Sequence, residues 1–448
     1  MTRDLTRGSV WKHIIILAVT TFLGMGIQQL YSLADTAIVG QVLGADPLAG
    51  VGATGSLNFM VVFFCTGFCL GSGIPVSREF GAKNYERMRR YMANSVWLSI
   101  ILAAVISVLT CLLCRQFLIW LRTPEDIIGY AYDYFILIAA GLSCTIFYNL
   151  LSTILRGLGD TRTPLIAIII SSLVNIGLDF LLLIPIPLGV AGAALATVIA
   201  QGLSGLFCLI VLIKRFPVIH IQKPEWQMDS RMMKHLVGHG LPIGLQCSIT
   251  AIGTLILQSA VNSFGAEAVA GMTVATKISF FFDTPMESMG QIMTPFTAQN
   301  MGAKTYPRIK EGLFKATAAG FACAIVEFPI VFFFGRSFVN IFLKSPTAQV
   351  VEYAYISMVC VAATSILLVI VNAFRFTLQG IGRTSLAMIS GVMEMIGRVI
   401  AALLLSKALG YTGIALGNSL AWLLADCFLI PAFFICFRKI NQTNDQTK

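Results

Sequence analysis

The chain has 448 residues, 57% of them hydrophobic and 12% charged, with a mean hydropathy of +0.83 and a formal net charge of +10. A soluble domain carries about 25% charged residues, so this composition excludes a water-soluble globule, and lipid must cover part of the apolar surface. Most basic residues lie in short gaps between apolar runs, a placement that reads as membrane orientation rather than as a nucleic-acid face.

A crossing helix needs about 20 mostly apolar residues. In chain order such segments are predicted at 14–34, 52–76, 91–114, 128–153, 164–186 and 189–213. After the polar stretch KRFPVIHIQKPEWQMDSRMMKH they resume at 236–261, 268–297, 312–334, 351–378, 385–407 and 411–436. The runs are long and do not alternate, so helices are expected rather than barrel strands. The expected fold is all-α integral membrane, with twelve crossings divided into an N-terminal lobe (1–213), a cytoplasmic linker (214–235) and a C-terminal lobe (236–448).

Both termini and the gaps after spans 2, 4, 6, 8 and 10 hold 24 of the 31 Lys and Arg residues, and the opposite gaps hold five, with Arg3, Arg122 and Lys344 among those counted. The positive-inside rule then puts both termini and the linker in the cytoplasm, and the plasma membrane is the expected location. The N-terminal MTRDLTRGSVWKH shows no cleavable signal pattern. The eleven cysteines fall mostly within apolar runs and form no disulfide framework; Cys111 and Cys114 make a CxxC with no second pair nearby, so packing is the expected role.

The two halves repeat. LGADPLAGVGATGSL (43–57) aligns with FGAEAVAGMTVATKI (264–278), FGAKNYERMRR (80–90) with MGAKTYPRIKE (301–311), and GVAGAALATVIAQ (189–201) with GYTGIALGNSLAW (410–422), all at an offset of 221. An even number of spans per half makes the repeats parallel, an arrangement common in transporters that hold substrate between two lobes.

Charge inside a bilayer is costly, about 2.5–3.5 kcal/mol per group on insertion scales, and marks functional residues. Asp35 in span 1 and Asp179 in span 5 have apolar repeat counterparts near Leu257 and Ile400, so this pair is specific to the first lobe. Ser171, Asn175 and Asp179 recur every four residues and share one helix face. Such a stripe suits reversible protonation, or oxygen ligation of Na⁺; the alternative is that Asn175 and Asp179 only hydrogen-bond across the bundle. In span 8, Asp283 and Glu287 are i,i+4 neighbours that either attract cationic substrates or pair with Lys277. Glu394 and Arg398 read as a structural ion pair. Met286 and Met289 suit a loosely specified apolar substrate surface, or simple packing. No P-loop, HExxH or nucleophile–histidine–acid order appears, which argues against an ATP-driven pump or an enzyme.

The stretches LADTAIVGQVLGADPLAGVG, GAKNYERMRR, ILRGLGDTRTPL, LVNIGLD, GVAGAALAT and GLPIGLQ, in this order and spacing, resemble the multidrug and toxic compound extrusion (MATE) transporters over almost the whole length. The resemblance implies two six-helix lobes and export of organic, often cationic, compounds in exchange for H⁺ or Na⁺. It is closest to the DNA-damage-inducible protein F type branch, whose pattern implies a cation-coupling site at Asp35, Asn175, Asp179 and Thr197, with Tyr134 and Asn149 as further cavity residues. Na⁺, if it is the ion, would sit on the same four residues. No other cofactor is expected. The partners implied are small organic cations and membrane lipid, without nucleic acid, and the chain is expected to work as a monomer. Many relatives have a proline where span 1 has Thr20, so a proline-driven bend of that helix is not expected here. The rival reading, a flippase for lipid-linked precursors, would need a cavity rich in Arg and Lys to hold pyrophosphate.

Overall fold

The computed structural model describes residues 4–121, 123–343 and 346–445, so Arg3, Arg122 and Lys344 of the charge count lie outside the described residues. Among the described residues there is no strand. The helices of the first half are α1 (Val10–Leu43), α2 (Ala45–Ala53), α3 (Gly55–Gly81), α4 (Tyr85–Trp120), α5 (Glu125–Ala140), α6 (Leu142–Gly157), α7 (Arg162–Leu183) and α8 (Val190–Arg215). Those of the second half are α9 (Ser230–Asn262), α10 (Ala266–Gln291), α11 (Met293–Gly302), α12 (Tyr306–Phe342), α13 (Ala348–Ile381), α14 (Thr384–Ile400), α15 (Ser406–Leu409), α16 (Tyr411–Ala415) and α17 (Gly417–Asp445).

Ten helical segments are long and apolar enough to cross a bilayer, and α5 with α6, bent by 47° at Gly141, makes an eleventh. The twelfth expected crossing is α10 with α11. It has the length but is too polar to join that set, because Glu267, Lys277, Asp283 and Glu287 all lie on α10. The apolar side chains point outward in large part: in the most apolar stretch of α4 only 22% of residues are buried, and Leu112, Phe333 and Ile341 are 76%, 73% and 78% exposed. In water this surface would be untenable, and in a bilayer it is the lipid-facing skin.

The repeat is written into the backbone. Gly44 and Gly265 have φ of 93° and 92°, Gly189 and Gly410 both have 61°, and Lys83 and Lys304 have 59° and 58°. Each pair is 221 residues apart, and each stands at the start of a helix or in the turn before one, where the chain needs a left-handed residue to change direction. Gly50 and Gly271 are matched too. A Cβ at Gly50 would meet the Tyr130 Cβ at 2.6 Å, and one at Gly271 would meet the Tyr353 Cβ at 2.7 Å.

The chain forms two compact units whose boundaries differ from the expected lobes. One comprises Met1–Asp4 and Leu23–Gly244, and the other Leu5–Phe22 and Leu245–Lys448. The opening turns of α1 therefore belong with the second half, and the opening turns of α9 with the first. The stretch expected to be the cytoplasmic linker is docked in the first unit. Glu225 accepts from Arg89 Nε at 2.9 and 2.8 Å, Trp97 Nε1 donates to the Trp226 carbonyl at 3.0 Å, and the Asp229 amide donates to Asn94 Oδ1 at 2.9 Å. Arg89 holds the Glu225 carboxyl below the usual glutamate range, chiefly through this hydrogen-bonded ion pair.

The first unit's main core joins α3, α4, α6 and α8 through residues such as Phe68, Met88, Leu150 and Cys208. The second unit's main core includes Val10, Ile14 and Leu17 of α1 packed with Phe296, Leu378 and Phe433. All eleven cysteines are free, and Cys114 of the CxxC packs against Leu57, Leu118 and Phe135.

A candidate cation site in the first unit

Helices α1, α5, α7 and α8 carry the polar groups of the first unit's interior. On α7, Ser171, Asn175 and Asp179 are all buried, with Asn175 1% and Asp179 0% exposed. The spacing of four that put them on one face in sequence also puts that face inward. Asp35 on α1 lies close enough for its carboxyl and that of Asp179 to act on each other electrostatically. Tyr134 of α5 is buried within electrostatic reach of Asp35, Tyr31 and Asp179.

The cluster is short of hydrogen-bond partners. Both Asp179 oxygens, Asp35 Oδ1, both polar atoms of the Asn175 amide and Gln201 Oε1 are buried with no hydrogen-bond partner. Buried polar atoms are nearly always satisfied, so five orphaned oxygens beside one orphaned amide nitrogen leave room for a proton, a cation or water. Two facing carboxyls cannot both remain bare anions without a counter-charge, and among the described residues neither forms an ion pair with Lys, Arg or His. A proton shared between the carboxyls would supply the missing donor, and a bound Na⁺ would supply the missing charge to the same hard oxygen ligands.

Two members of this group escaped the sequence reading. Tyr31 stands one turn before Asp35 on α1, and the Gln201 side chain of α8 lies near its hydroxyl. Both lay in view at i,i+4 spacing, Tyr31 from Asp35 and Gln201 from Thr197, the same rule that picked out α7. Thr197 is half-buried one turn before Gln201. Asn149 is engaged locally, its side-chain amide donating to the Thr145 carbonyl at 2.8 Å.

The second unit holds a different set. Asp283 and Glu287 line a cavity of about 230 Å³ together with Ser279, Thr276, Asn418 and Trp422. Lys277 forms no ion pair with either among the described residues; Glu287 accepts from Gln291 Nε2 at 3.2 Å, and Asp283 Oδ1 has no partner. Met286 and Met289 do not line this cavity. Met286 is packed against Ala324 and Val369, and Met289 against the main core. Glu394 does pair with Arg398, at 3.7 Å, but its tighter partner is Arg375 of α13. Arg375 Nε also donates to Ser390 at 3.0 Å, and Arg398 Nε to Asn418 at 3.2 Å, so this buried triad is a satisfied structural network. A turn of π-helix at Ala401–Leu405 follows Arg398 closely. Among the described residues no group of three or more His, Cys, Asp or Glu side chains is placed to hold a metal ion.

Comparison with known proteins gives the family. The chain is 27% identical over 442 residues to the probable multidrug resistance protein YpnP of Bacillus subtilis, covering 97% of this chain and 96% of that one. It is 26% identical over 350 residues to the probable multidrug resistance protein YoeA of the same organism, covering 77% and 76%. An outward-facing structure of a multidrug resistance MATE family transporter superposes with a TM-score of 0.91 at 23% identity, covering 98% of this chain and 99% of that one. The MatE family model matches residues 21–181 and 242–404, once in each half of the repeat. The chain belongs to the MatE family, the multidrug and toxic compound extrusion transporters, and is a membrane transporter rather than an enzyme.

Proposed function

We propose that this transporter exports amphiphilic, cationic organic compounds and couples their export to H⁺ or Na⁺ bound at Asp35 and Asp179. The observation that carries the coupling is the buried carboxyl pair with no donor and no cation of its own, present in one half of the repeat and absent from the other. An ion that must be bound to satisfy the site in one state and released in another can drive a conformational cycle. Asn175, Thr197, Tyr134 and the Tyr31–Gln201 pair set the polar surroundings in which that ion is held.

For cargo, the Asp283–Glu287 cavity sets carboxyl oxygens beside Phe280 and Trp422, a combination that favours organic cations. The names of the Bacillus relatives support multidrug cargo. The excess of Lys and Arg on one face supports a plasma-membrane protein with both termini in the cytoplasm, and nothing in the proposal requires more than one chain. A lipid-precursor flippase is disfavoured because the arginines within the spans, Arg375 and Arg398, are committed to Glu394.

The test is uptake of a fluorescent lipophilic cation into proteoliposomes, with pH and Na⁺ gradients imposed separately. Uptake driven by one gradient names the ion. Failure of both gradients with folded protein would contradict coupled export.

A further inference from the structure

The repeat breaks at one place on the face that carries the α3–α4 turn and the 214–229 stretch. In the second unit the corresponding place is plugged. The Leu5 amide donates to Gln299 Oε1 at 3.0 Å, and the Leu5 carbonyl accepts from Asn300 at 3.3 Å and Arg308 at 3.2 Å. Phe296 fills the remaining space against Gly312, where a Cβ would meet its ring at 2.3 Å.

Moving back by 221 replaces Phe296, Gln299, Asn300, Arg308 and Gly312 by Pro75, Arg78, Glu79, Arg87 and Tyr91. The plug becomes a cavity of about 500 Å³, lined by these five residues and closed by Asp229, Arg231, Met232 and His235. Three arginines, Arg78, Arg87 and Arg231, are among its lining residues.

The charges around it do not cancel. Glu79 pairs with Arg87 at 3.5 Å. Asp229 pairs with Arg90 at 3.3 Å and caps α9 by accepting the Arg231 and Met232 amides at 2.9 and 3.2 Å. Among the described residues no carboxylate pairs with Arg78 or Arg231. The Arg87 guanidinium lies over the Tyr91 ring, 5.7 Å from its centroid, and the Tyr91 hydroxyl shares a 3.2 Å hydrogen bond with His235 Nδ1. The wall is apolar where Pro75, Met232 and the Tyr91 ring meet it.

We propose that this cavity is a binding site for a phosphate group, held between Arg78 and Arg231, with the apolar wall taking the organic part of the ligand. Guanidinium forks match phosphate oxygens in pairs, which favours this chemistry over a simple halide or carboxylate. The phosphate can come from an anionic phospholipid headgroup or from a soluble organophosphate. Because one wall is α9 and the other is α3 and α4, an occupied site ties the start of α9 to those helices. This site is separate from the transport reading and stands or falls without it.

The test uses the purified full chain in detergent, with dioctanoyl phosphatidylglycerol, glycerol 3-phosphate and dioctanoylglycerol as probes. Affinity is measured by calorimetry, and unfolding temperature without ligand checks the fold. Phosphatidylglycerol should bind the parent at least tenfold more tightly than it binds the Arg78→Gln/Arg231→Gln double variant. Single Arg231→Gln should fall between, and Lys83→Gln, the same single-charge change placed in the α3–α4 turn outside the cavity, should bind like the parent. Both arginines are exposed, so the variants should keep the parent's unfolding temperature. Comparable binding of glycerol 3-phosphate would assign the site to soluble organophosphates; much weaker binding would assign it to lipid. Equal affinity of parent and double variant, no binding of either phosphate probe at millimolar concentration, or equally tight binding of phosphate-free dioctanoylglycerol would each overturn the proposal.

Discussion

Asp179 of α7 and Asp35 of α1 lie within electrostatic reach of each other, and among the described residues no group donates a hydrogen bond to either Asp179 oxygen. A fold that needed only structural polar contacts would supply those oxygens with donors. The substitution Asp179→Asn brings an amide with its own donors and removes one of two like charges. We predict that this variant unfolds no earlier than the parent in a thermal melt, while transport is lost. An early melt would mean that the carboxylate is structural.

Glu394 presents the opposite case. It lies between Arg375 and Arg398 in a buried and fully engaged network. Glu394→Gln leaves two guanidiniums without a counter-charge, and breaking a buried pair in this way costs about 3–5 kcal/mol. The expected result is a large fall in unfolding temperature, partly restored when Arg375→Met is added. An unchanged melt of the single variant would show that the network carries little stability.

The docking of residues 216–229 on α4 depends on Glu225 and Arg89, 2.7 Å apart at their closest. Arg89 lowers the Glu225 carboxyl from its ordinary value of 4.5. A depressed carboxyl stabilises the folded form fully above the ordinary value, and that contribution is lost as pH falls below it toward the folded-state value. Cleavage within 216–229 by an acid-tolerant protease should therefore speed up as pH drops below about 4.5, and Glu225→Gln should show the faster cleavage already at pH 7. Equal rates for parent and variant at pH 7 would contradict this account.

Gly141 marks the 47° break between α5 and α6. A Cβ there would meet Val198 Cγ2 at 2.2 Å, whereas a Cβ at Gly26 in α1 meets nothing within 4 Å. Gly141→Ala should destabilise by about 1–3 kcal/mol through overpacking, and Val198→Ala should rescue it. Gly26→Ala should be neutral or stabilising by up to about 1 kcal/mol, the helix-propensity gain. Loss without rescue would place the strain elsewhere than at Val198.

The sequence made the crossings legible because a bilayer permits few ways to satisfy a backbone, and long apolar runs leave only helices. Asp35, Asn175 and Asp179 were legible for a related reason: charge in an apolar run is expensive enough to need a function. Tyr31 and Gln201 were not singled out, since uncharged polar side chains in membrane helices are common and only their i,i+4 relation to Asp35 and Thr197 marks them. The placement of Met286 and Met289 in packing rather than on the cavity depends on helix rotation, which an apolar side chain does not reveal. Nor did the sequence disclose that Leu5–Phe22 packs with the second half; that follows from Leu5 fitting Gln299, Asn300 and Arg308, far away along the chain. Thr20 lacks the ring that would force a bend and instead returns its hydroxyl to the Ile16 and Leu17 carbonyls, both at 2.9 Å, leaving α1 one continuous helix.

The most direct test of the central claim is gradient-driven uptake of a fluorescent lipophilic cation in proteoliposomes, run side by side for the parent, Asp35→Asn and Asp179→Asn. Equilibrium binding of the same cation is measured in each. The account predicts that both variants still bind the cation but lose uptake under whichever gradient drives the parent. Parent-like, gradient-driven uptake by Asp179→Asn would contradict the assignment of ion coupling to the Asp35–Asp179 pair.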